Sequence, residues 1–425
     1  MQQRENWDWT PATREIGDFG AWHKTYDYME EPYVSADGEK IAAIVRSGEE
    51  AYTVCVNGRL WENTFDKVWY LRFTPDHRPA ALVSDTAMWT VAIDGVPWEN
   101  WYEFVWDTCF ANTGSHVTVA AQSELRYFAV TDDRPWKNKF LALNHLIVSP
   151  DGTSTAAVVQ STTFPEADIQ KFQEGCFTVA VNGEAWQQQY VNVWELSFSA
   201  DNRHVAAEIR TNLYDYTIAV DGKTWEKRFS SVWAPRFHPA DNSVTAPVKI
   251  PGGWGLARDE ELIWYRGYKQ LWHHMYSPDG SHIAAVAAPE FGKWTIAEDD
   301  RAWAIRFNEA VTDAIYSPDG NHIACLGKSD GKWYIAVDDR IWDTAFDMAW
   351  QPVFSPDGSH VAAKVERGGN YTIFIDGHPI DQVFSAAWQP VFSPDGTRLL
   401  VKGVLPENQG GQYCRQVLEV DRPVP

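Results

Sequence analysis

The sequence AWQPVFSPDGSHVAAKV occupies residues 349–365, and the close copy AWQPVFSPDGTRLLVKG occupies residues 387–403, 38 residues further along the chain. Copies at a fixed spacing are typical of repeat proteins, in which each copy folds as one unit. The apolar residue before each SPDG-like turn, here called the anchor, occurs ten times. The anchors are Val34, Phe73, Phe110, Val148, Phe198, Phe237, Tyr276, Tyr316, Phe354 and Phe392.

Each repeat of about 38 to 40 residues contains signals for short strands. The segment NYTIFIDG (residues 370–377) ends in Asp-Gly, which favours a two-residue hairpin turn. An aromatic ladder follows each such turn, with aromatic residues spaced by four, as in Trp61, Phe65, Trp69 and Phe73. A spacing of four fits one face of a helix or of a strand, but Pro352 within the ladder favours strands. About four strands per repeat correspond to one blade of a β-propeller.

We therefore predict an all-β fold, a single closed β-propeller of about ten four-stranded blades, with two smaller propellers as the alternative. The predicted domains are an N-terminal extension at residues 1–21 and the propeller at residues 22–425. The last repeat stops before its own ladder, while Trp22 and Tyr26 extend the ladder backwards from Val34. We expect residues 22–30 to supply the outer strand of the tenth blade, because this closes the ring and leaves no open sheet edge.

The chain contains 23 tryptophans, and most of them fall on repeated positions. We interpret them as structural residues buried between neighbouring sheets, and not as a carbohydrate-binding platform or a redox relay. The structural tryptophans in this interpretation are Trp22, Trp61, Trp69, Trp98, Trp106, Trp186, Trp194, Trp225, Trp233, Trp342 and Trp350.

Functional residues are expected where the repeat is interrupted or variable. The fourth repeat contains about eleven extra residues within the segment 161–175, STTFPEADIQKFQEG. Phe164, Ile169 and Phe172 of this insertion are candidate partner contacts; a loop packed on its own blade is the alternative. The residue three positions before the anchor is variable and often polar, and we expect it at the rim of the central channel. This rim is either a binding site for a cation or a basic partner, or simply solvated. The candidate rim residues are Asp107, His145, Glu195, His273 and Asp313.

Other reactive residue types have structural explanations. One histidine stands six residues after the anchor in five repeats, so these side chains are far apart around a ring and predict no shared metal site. The Asp-Asp pairs at residues 132–133, 299–300 and 338–339 occupy hairpin turns, where turn chemistry explains them. No phosphate-binding loop, dinucleotide fingerprint or hydrolase motif is found. We therefore predict no catalytic residue, no metal site and no cofactor.

The formal net charge of −22 repels the phosphates of nucleic acids and anionic lipids, so neither is an expected partner. No apolar run is long enough to cross a bilayer, which predicts no direct membrane insertion. The first residues do not resemble a secretory signal. We expect a cytoplasmic protein.

The SPDG turn followed by HIAA or HVAA resembles the TolB/WD40-like propeller repeat over nearly the whole chain. The tryptophan content and the VDG..W...F...W repeat are also similar to the D subunit of the Tmc transmembrane electron-transfer complex of sulfate-reducing bacteria. This second resemblance implies an accessory subunit, peripheral at the inner membrane, with cytochrome b, iron–sulfur and multihaem cytochrome subunits as partners. It supplies no haem or cluster ligands in this sequence.

These observations predict a non-catalytic propeller that mediates protein–protein interaction, and the second resemblance implies that it does so within a membrane-associated electron-transfer complex. The alternative functions are an enzyme, or a small-ligand sensor, with its site at the mouth of the channel.

Overall fold

The structure, a computed structural model, describes residues 4–112, 116–163 and 173–420. A 3₁₀ turn (Arg4–Asn6), strand β1 (Ala12–Gly17) and helix α1 (Phe19–Thr25) are followed by ten antiparallel sheets in chain order, which are blades 1 to 10. Within the described residues no helix is long and apolar enough to span a membrane.

Blade 1 consists of β2 (Tyr33–Val34), β3 (Ile41–Gly48), β4 (Ala51–Val56) and β5 (Arg59–Leu60), and blade 2 of β6 (Lys67–Phe73), β7 (Pro79–Asp85), β8 (Met88–Ile93) and β9 (Val96–Pro97). Blade 3 consists of β10 (Phe104–Phe110), β11 (Val117–Ser123), β12 (Arg126–Thr131) and β13 (Arg134–Pro135), and blade 4 of β14 (Ala142–Val148), β15 (Thr155–Gln160), β16 (Phe177–Val181) and β17 (Glu184–Ala185). Blade 5 consists of β18 (Asn192–Phe198), β19 (Val205–Arg210), β20 (Tyr216–Val220) and β21 (Lys223–Thr224).

Blade 6 consists of β22 (Arg236–Phe237), β23 (Val244–Ile250), β24 (Gly253–Arg258) and β25 (Glu261–Tyr268), and blade 7 of β26 (Gln270–Tyr276), β27 (Ile283–Glu290), β28 (Lys293–Glu298) and β29 (Arg301–Ala302). Blade 8 consists of β30 (Ala310–Tyr316), β31 (Ile323–Ser329), β32 (Lys332–Val337) and β33 (Arg340–Ile341), and blade 9 of β34 (Met348–Ala349), β35 (Val353–Phe354), β36 (Val361–Arg367), β37 (Asn370–Ile375) and β38 (His378–Pro379). Blade 10 consists of β39 (Ala386–Phe392), β40 (Arg398–Val404) and β41 (Tyr413–Glu419), with β1 as its fourth strand. A 3₁₀ turn (Glu407–Gln409) joins β40 to β41.

The second strand of each blade forms the centre of the hydrophobic core. In β3 every residue of the segment 41–45 is buried, and in β11 the same holds for the segment 117–121. Both runs are continuously buried, and Thr118 is their one polar residue, because a neighbouring blade covers each face of the sheet. The core clusters join each blade to the next, and one of them joins Val404 and Tyr413 of blade 10 to Ile41 and Cys55 of blade 1. The predicted single ring of ten blades is therefore confirmed.

All ten anchors end the first strand of their blade, as in β6 and β39. An N-terminal strand completes blade 10, as predicted, but the predicted bounds of this strand are wrong. Residues 22–30 do not pair with blade 10; residues 22–25 belong to helix α1, at whose start Asp18 accepts a hydrogen bond from the Ala21 amide, and Met29 forms a bridge with Val45 of blade 1. The closing strand is β1, which pairs antiparallel with β41, so that Ala12 lies opposite Val417.

The error has a physical cause. A spacing of four, as between Trp22 and Tyr26, also matches one turn of a helix. Strand β1 is an outermost strand without a buried residue, so its sequence has no apolar alternation that would reveal it. Residues 12–17 of the predicted N-terminal extension therefore belong to the propeller, because they form the fourth strand of blade 10.

Where the hairpin turn between the third and fourth strands contains glycine, a tryptophan of the preceding blade packs on this glycine. A Cβ atom on Gly95 would lie 2.8 Å from Cγ of Trp61, and Gly95 also has a φ of +82°. Only glycine satisfies both conditions without a clash. Trp22 occupies the same position in space, next to Gly58 of blade 1, although it comes from α1. This contact explains why the Asp-Gly turn and the tryptophan recur together.

Candidate functional site

The candidate rim residues lie within the innermost strand of their blades. The register of β10 with β11 shifts between Trp106 and Cys109, and the same bulge recurs in β14 between Asn144 and Ile147. At the bulge Asp107 has a φ of +52°, and His145 has a φ of +50°. The side chains of the five predicted rim residues are all exposed: Asp107, His145, Glu195, His273 and Asp313.

A following proline excludes the positive φ at this position. Glu31, Ala234, Gln351 and Gln389 occupy the same repeat position but precede a proline, and none of them has a positive φ. The residue before proline is restricted to extended conformations. The positive φ therefore occurs at this position in blades 2, 3, 4, 7 and 8, while β18 of blade 5 and β39 of blade 10 show the register shift without it.

Two of the rim residues line one cavity of about 630 Å³, which we call the channel cavity. Asp107 and His145 belong to its lining, whereas Glu195, His273 and Asp313 do not. The complete lining is Tyr70, Asp107, Thr108, Cys109, Asn144, His145, Leu146, Val158, Phe177, Asn192, Val193 and Trp194. This volume lies in the range of small-molecule sites.

The channel cavity is lined by both apolar and polar side chains. The Thr108 hydroxyl oxygen is buried and has no hydrogen-bond partner among the described residues. The Cys109 thiol lies 3.5 Å from the Leu146 carbonyl oxygen, and burial raises the pKa of this thiol to about 11, so it is neutral at pH 7. No lysine or arginine belongs to the lining, and Asp107 is its one carboxylate.

A second feature is an exposed aromatic surface on blades 1 to 3, which we call the aromatic face. The ring of Trp69 lies 6.4 Å from that of Trp89, Trp89 lies 6.0 Å from Phe104, and Phe104 lies 5.8 Å from Trp106. A groove of about 450 Å³ connects Trp69 and Trp89 with Tyr28 and Tyr52. The aromatic face is defined as Tyr28, Tyr52, Trp69, Trp89, Phe104 and Trp106.

The expected burial of the tryptophans is wrong for two of them. Trp69 is 51% exposed and Trp233 is 39% exposed, whereas Trp22, Trp61 and Trp225 are buried as expected. The other predicted structural tryptophans are half-buried: Trp98, Trp106, Trp186, Trp194, Trp342 and Trp350. The second ladder tryptophan lies near the start of the innermost strand, where its own blade covers only one side of the ring.

The Asp-Asp pairs lie in hairpin turns, as predicted, and each repeated histidine pairs with the first aspartate of such a turn. His360 Nδ1 lies 2.7 Å from Asp376 Oδ2, and Asp376 Oδ1 accepts a hydrogen bond from the Val361 amide. Equivalent pairs occur in four other blades: His116–Asp132, His204–Asp221, His282–Asp299 and His322–Asp338. In the described part of the chain, no group of three or more His, Cys, Asp or Glu side chains is arranged to hold a metal ion.

The insertion of the fourth repeat joins β15 to β16 in blade 4. Phe164, Ile169 and Phe172 lie outside the described residues, so their proposed partner contacts stay a prediction. The described flank is tied to blade 4, because the Ser161 amide donates to the Cys176 carbonyl and Thr162 hydrogen-bonds to Gln189.

Sequence reasoning missed Glu208, a charged residue in the second strand of blade 5. Its side chain is only 6% exposed. Burial, together with the nearby Glu195 carboxylate, raises the pKa of Glu208 to about 8. The signal was available in the sequence, because the matching position is Ile44 in blade 1 and Val158 in blade 4.

The fold defines this chain as a ten-bladed β-propeller. No protein-family model matches it, and no curated protein matches it. It is similar to the crystal structure of a eukaryotic initiation factor (TM-score 0.49, 11% identity, covering 84% of this chain and 96% of that one). It is also similar to the Myceliophteria thermophila Cps50 (Swd1) β-propeller domain (TM-score 0.33, 14% identity, 66% and 96%) and to a putative TolB from Agrobacterium tumefaciens (TM-score 0.26, 19% identity, 44% and 74%). These likenesses say nothing about what the chain binds.

Proposed function

We propose that this protein is a non-catalytic interaction scaffold, which binds a partner protein on its aromatic face. The observation that carries this proposal is the continuous series of ring contacts from Trp69 to Trp106, in which Trp69 is 51% and Phe104 is 40% exposed. Exposed aromatic side chains in contact with one another are typical of protein interfaces, because their burial removes a large apolar area from water.

The charge of the chain limits the choice of partner. A net charge of −22 disfavours nucleic acids and acidic proteins. We therefore expect a partner surface that is apolar at its centre and basic at its rim. The groove next to Trp69 also contains Asp66 and Glu30, which are suitable contacts for such a rim.

The resemblance to the Tmc D subunit makes the proposal more specific. On that basis the partners are membrane-bound redox subunits, namely cytochrome b, iron–sulfur and multihaem cytochrome proteins. The protein would then be cytoplasmic and peripheral at the inner membrane through these partners. This finer identification stays a prediction.

Site-specific crosslinking in the native host tests the scaffold function. A photoreactive amino acid in place of Lys67, an exposed residue of the groove, should crosslink a defined partner. The double variant Trp69→Ala/Phe104→Ala should lose that crosslink and keep its melting temperature within a few degrees, since both side chains are exposed.

The matched control is Phe291→Ala, which removes an aromatic side chain that is 79% exposed on blade 7. This variant should keep the crosslink. No crosslink in the wild-type protein, or an equal crosslink in the double variant, would contradict the proposal.

A further inference from the structure

Seven blades place a tryptophan four residues before the anchor, and its ring packs on the aromatic residue of the third strand in the same blade. The centroid distances in these pairs range from 4.8 Å for Trp272 and Trp294 to 6.4 Å for Trp69 and Trp89. This aromatic pair is therefore a regular part of the blade.

Three blades lack this tryptophan and have Glu30, Asn144 or Thr312 in its place. In blade 1 the ring of Tyr28 takes over the contact, 5.6 Å from the ring of Tyr52. In blade 8 the ammonium group of Lys328 lies 5.5 Å from the ring centroid of Trp333. In both blades a different side chain thus covers the aromatic ring of the third strand.

In the described part of blade 4 no such replacement is found. Among the described residues no ring and no cation covers Phe177, which is the third-strand aromatic residue of this blade. Asn144 and Phe177 both line the channel cavity of about 630 Å³. The cavity is therefore located where the other blades carry an indole ring.

We propose that the channel cavity binds an aromatic molecule with a cationic amine, whose ring packs on Phe177 as the missing indole would. Val158 and Leu146 complete the apolar wall for such a ring. Asp107 supplies the carboxylate for the amine and has no cationic partner among the described residues. The lining contains no lysine or arginine to repel a cation.

Two further observations support a polar ligand. The buried Thr108 hydroxyl has no partner among the described residues, although buried polar groups are nearly always hydrogen-bonded. The amide side chains of Asn144 and Asn192 line the same cavity and can both donate and accept hydrogen bonds. The inference goes beyond the scaffold function, because it uses none of the residues of the aromatic face.

Tryptamine is a suitable probe, because it joins an indole ring to an amine. We expect it to bind the full-length protein in saturation-transfer NMR and in calorimetry. Indole-3-propionate has the same ring with a negative charge, and cadaverine has amines without a ring. Both should bind at least about tenfold more weakly, since each lacks one of the two interactions.

The variant Asn144→Trp should fill the cavity and abolish tryptamine binding, and it should leave the melting temperature unchanged or higher because it restores the regular aromatic pair. The matched control Thr312→Trp adds the same ring in blade 8 and should bind tryptamine like the wild type. Neither variant should alter the crosslink to the aromatic face, so the two proposals can fail separately.

A second variant keeps the inference testable if Asn144→Trp does not fold. Asp107→Asn should weaken tryptamine about tenfold but leave the neutral analogue tryptophol unaffected, because it removes only the charged hydrogen bond. The inference is wrong if tryptamine does not bind the wild type, binds no better than indole-3-propionate and cadaverine, or binds Asn144→Trp equally well.

Discussion

At the residue scale, the second strands contain three charged side chains at a position that is apolar in most other blades, namely Glu208, Lys364 and Lys402. Two of them have an evident partner. The Lys402 ammonium group donates to the Ala36 carbonyl oxygen at 3.2 Å, and the Lys364 ammonium group lies 3.5 Å from the ring centroid of Trp350. Burial lowers the pKa of Lys364 to about 8. Glu208 has the least compensation, since a second carboxylate is its neighbour.

The pKa of Glu208 predicts a pH-dependent stability. The folded state holds this proton up to about pH 8, whereas an ordinary glutamate releases it near pH 4.5. The folded state therefore binds more protons between these values, and the contribution of Glu208 to stability decreases as the pH rises through that window. Glu208→Gln removes the titration. Its melting temperature should exceed that of the wild type by about 2 °C or more at pH 9.

At pH 5 the same variant should melt close to the wild type, because Glu208 is then protonated and similar in shape to glutamine. The control Glu103→Gln changes an exposed carboxylate and should show no such difference between the two pH values. An equal effect of Glu208→Gln at pH 5 and pH 9 would disprove the shifted pKa.

At the element scale, the hairpin turns connect neighbouring blades in two chemically different ways. In the Asp-Gly turns the glycine accommodates a tryptophan of the preceding blade, as Gly95 does for Trp61. In the Asp-Asp turns the second carboxylate instead accepts hydrogen bonds from the preceding blade. Asp339 accepts from the amides of Ala304 and Ile305 at 2.7 and 2.8 Å. The second residue of the turn thus contacts the preceding blade in either case, through packing when it is glycine and through hydrogen bonds when it is aspartate.

This interpretation predicts the order of stability of two variants at one position. Asp339→Ala loses both hydrogen bonds and keeps a β-carbon at a φ of +65°, so it should reduce the free energy of unfolding by about 1–3 kcal/mol. Asp339→Gly loses the same bonds but relieves the positive φ, so its loss should be smaller by about 1 kcal/mol. Urea unfolding of both variants measures the difference. If the glycine variant is the less stable one, the carboxylate has another role.

At the scale of the whole molecule, blade 10 closes the ring through a buried arginine. Arg415 is 1% exposed, donates from Nε to the Asp37 carbonyl oxygen at 2.8 Å and pairs with Glu39 at 3.0 Å. It also donates to the Asp8 carbonyl oxygen, and Tyr413 donates to the Gly38 carbonyl oxygen at 2.9 Å. The first turn of blade 1 and the segment before β1 therefore meet at one side chain of β41.

Removing this side chain should weaken the closure of the ring. Arg415→Leu leaves two carbonyl groups without their donor and leaves Glu39 with Arg14 as its remaining partner, and we expect it to reduce the free energy of unfolding by about 2–5 kcal/mol. Hydrogen exchange should increase first in β1 and β41, since these strands form the junction. The control Arg367→Leu, at an exposed position of blade 9, should be nearly neutral. Uniform exchange in all blades would argue against a specific role of the junction.

Much of the fold could be predicted from local signals. Each hairpin turn, each anchor and the number of blades follow from residues within one repeat, as in the two copies that begin at Ala349 and Ala387. The identity of the closing strand could not be predicted in this way, because β1 is exposed and resembles no repeat. The same limit applies to the cavity, since its lining comes from four blades and its cause is the absence of one ring at Asn144.

The sequence by itself determined a ring of ten similar blades, because strand signals, turn residues and the ladder are local and repeat with one period. Only the tertiary structure decided which strand closes the ring, which tryptophans remain exposed, and that Asp107 and His145 share one cavity. The physical reason is that burial and proximity depend on neighbouring blades, and a repeat that looks the same in every copy does not specify what its neighbours leave open.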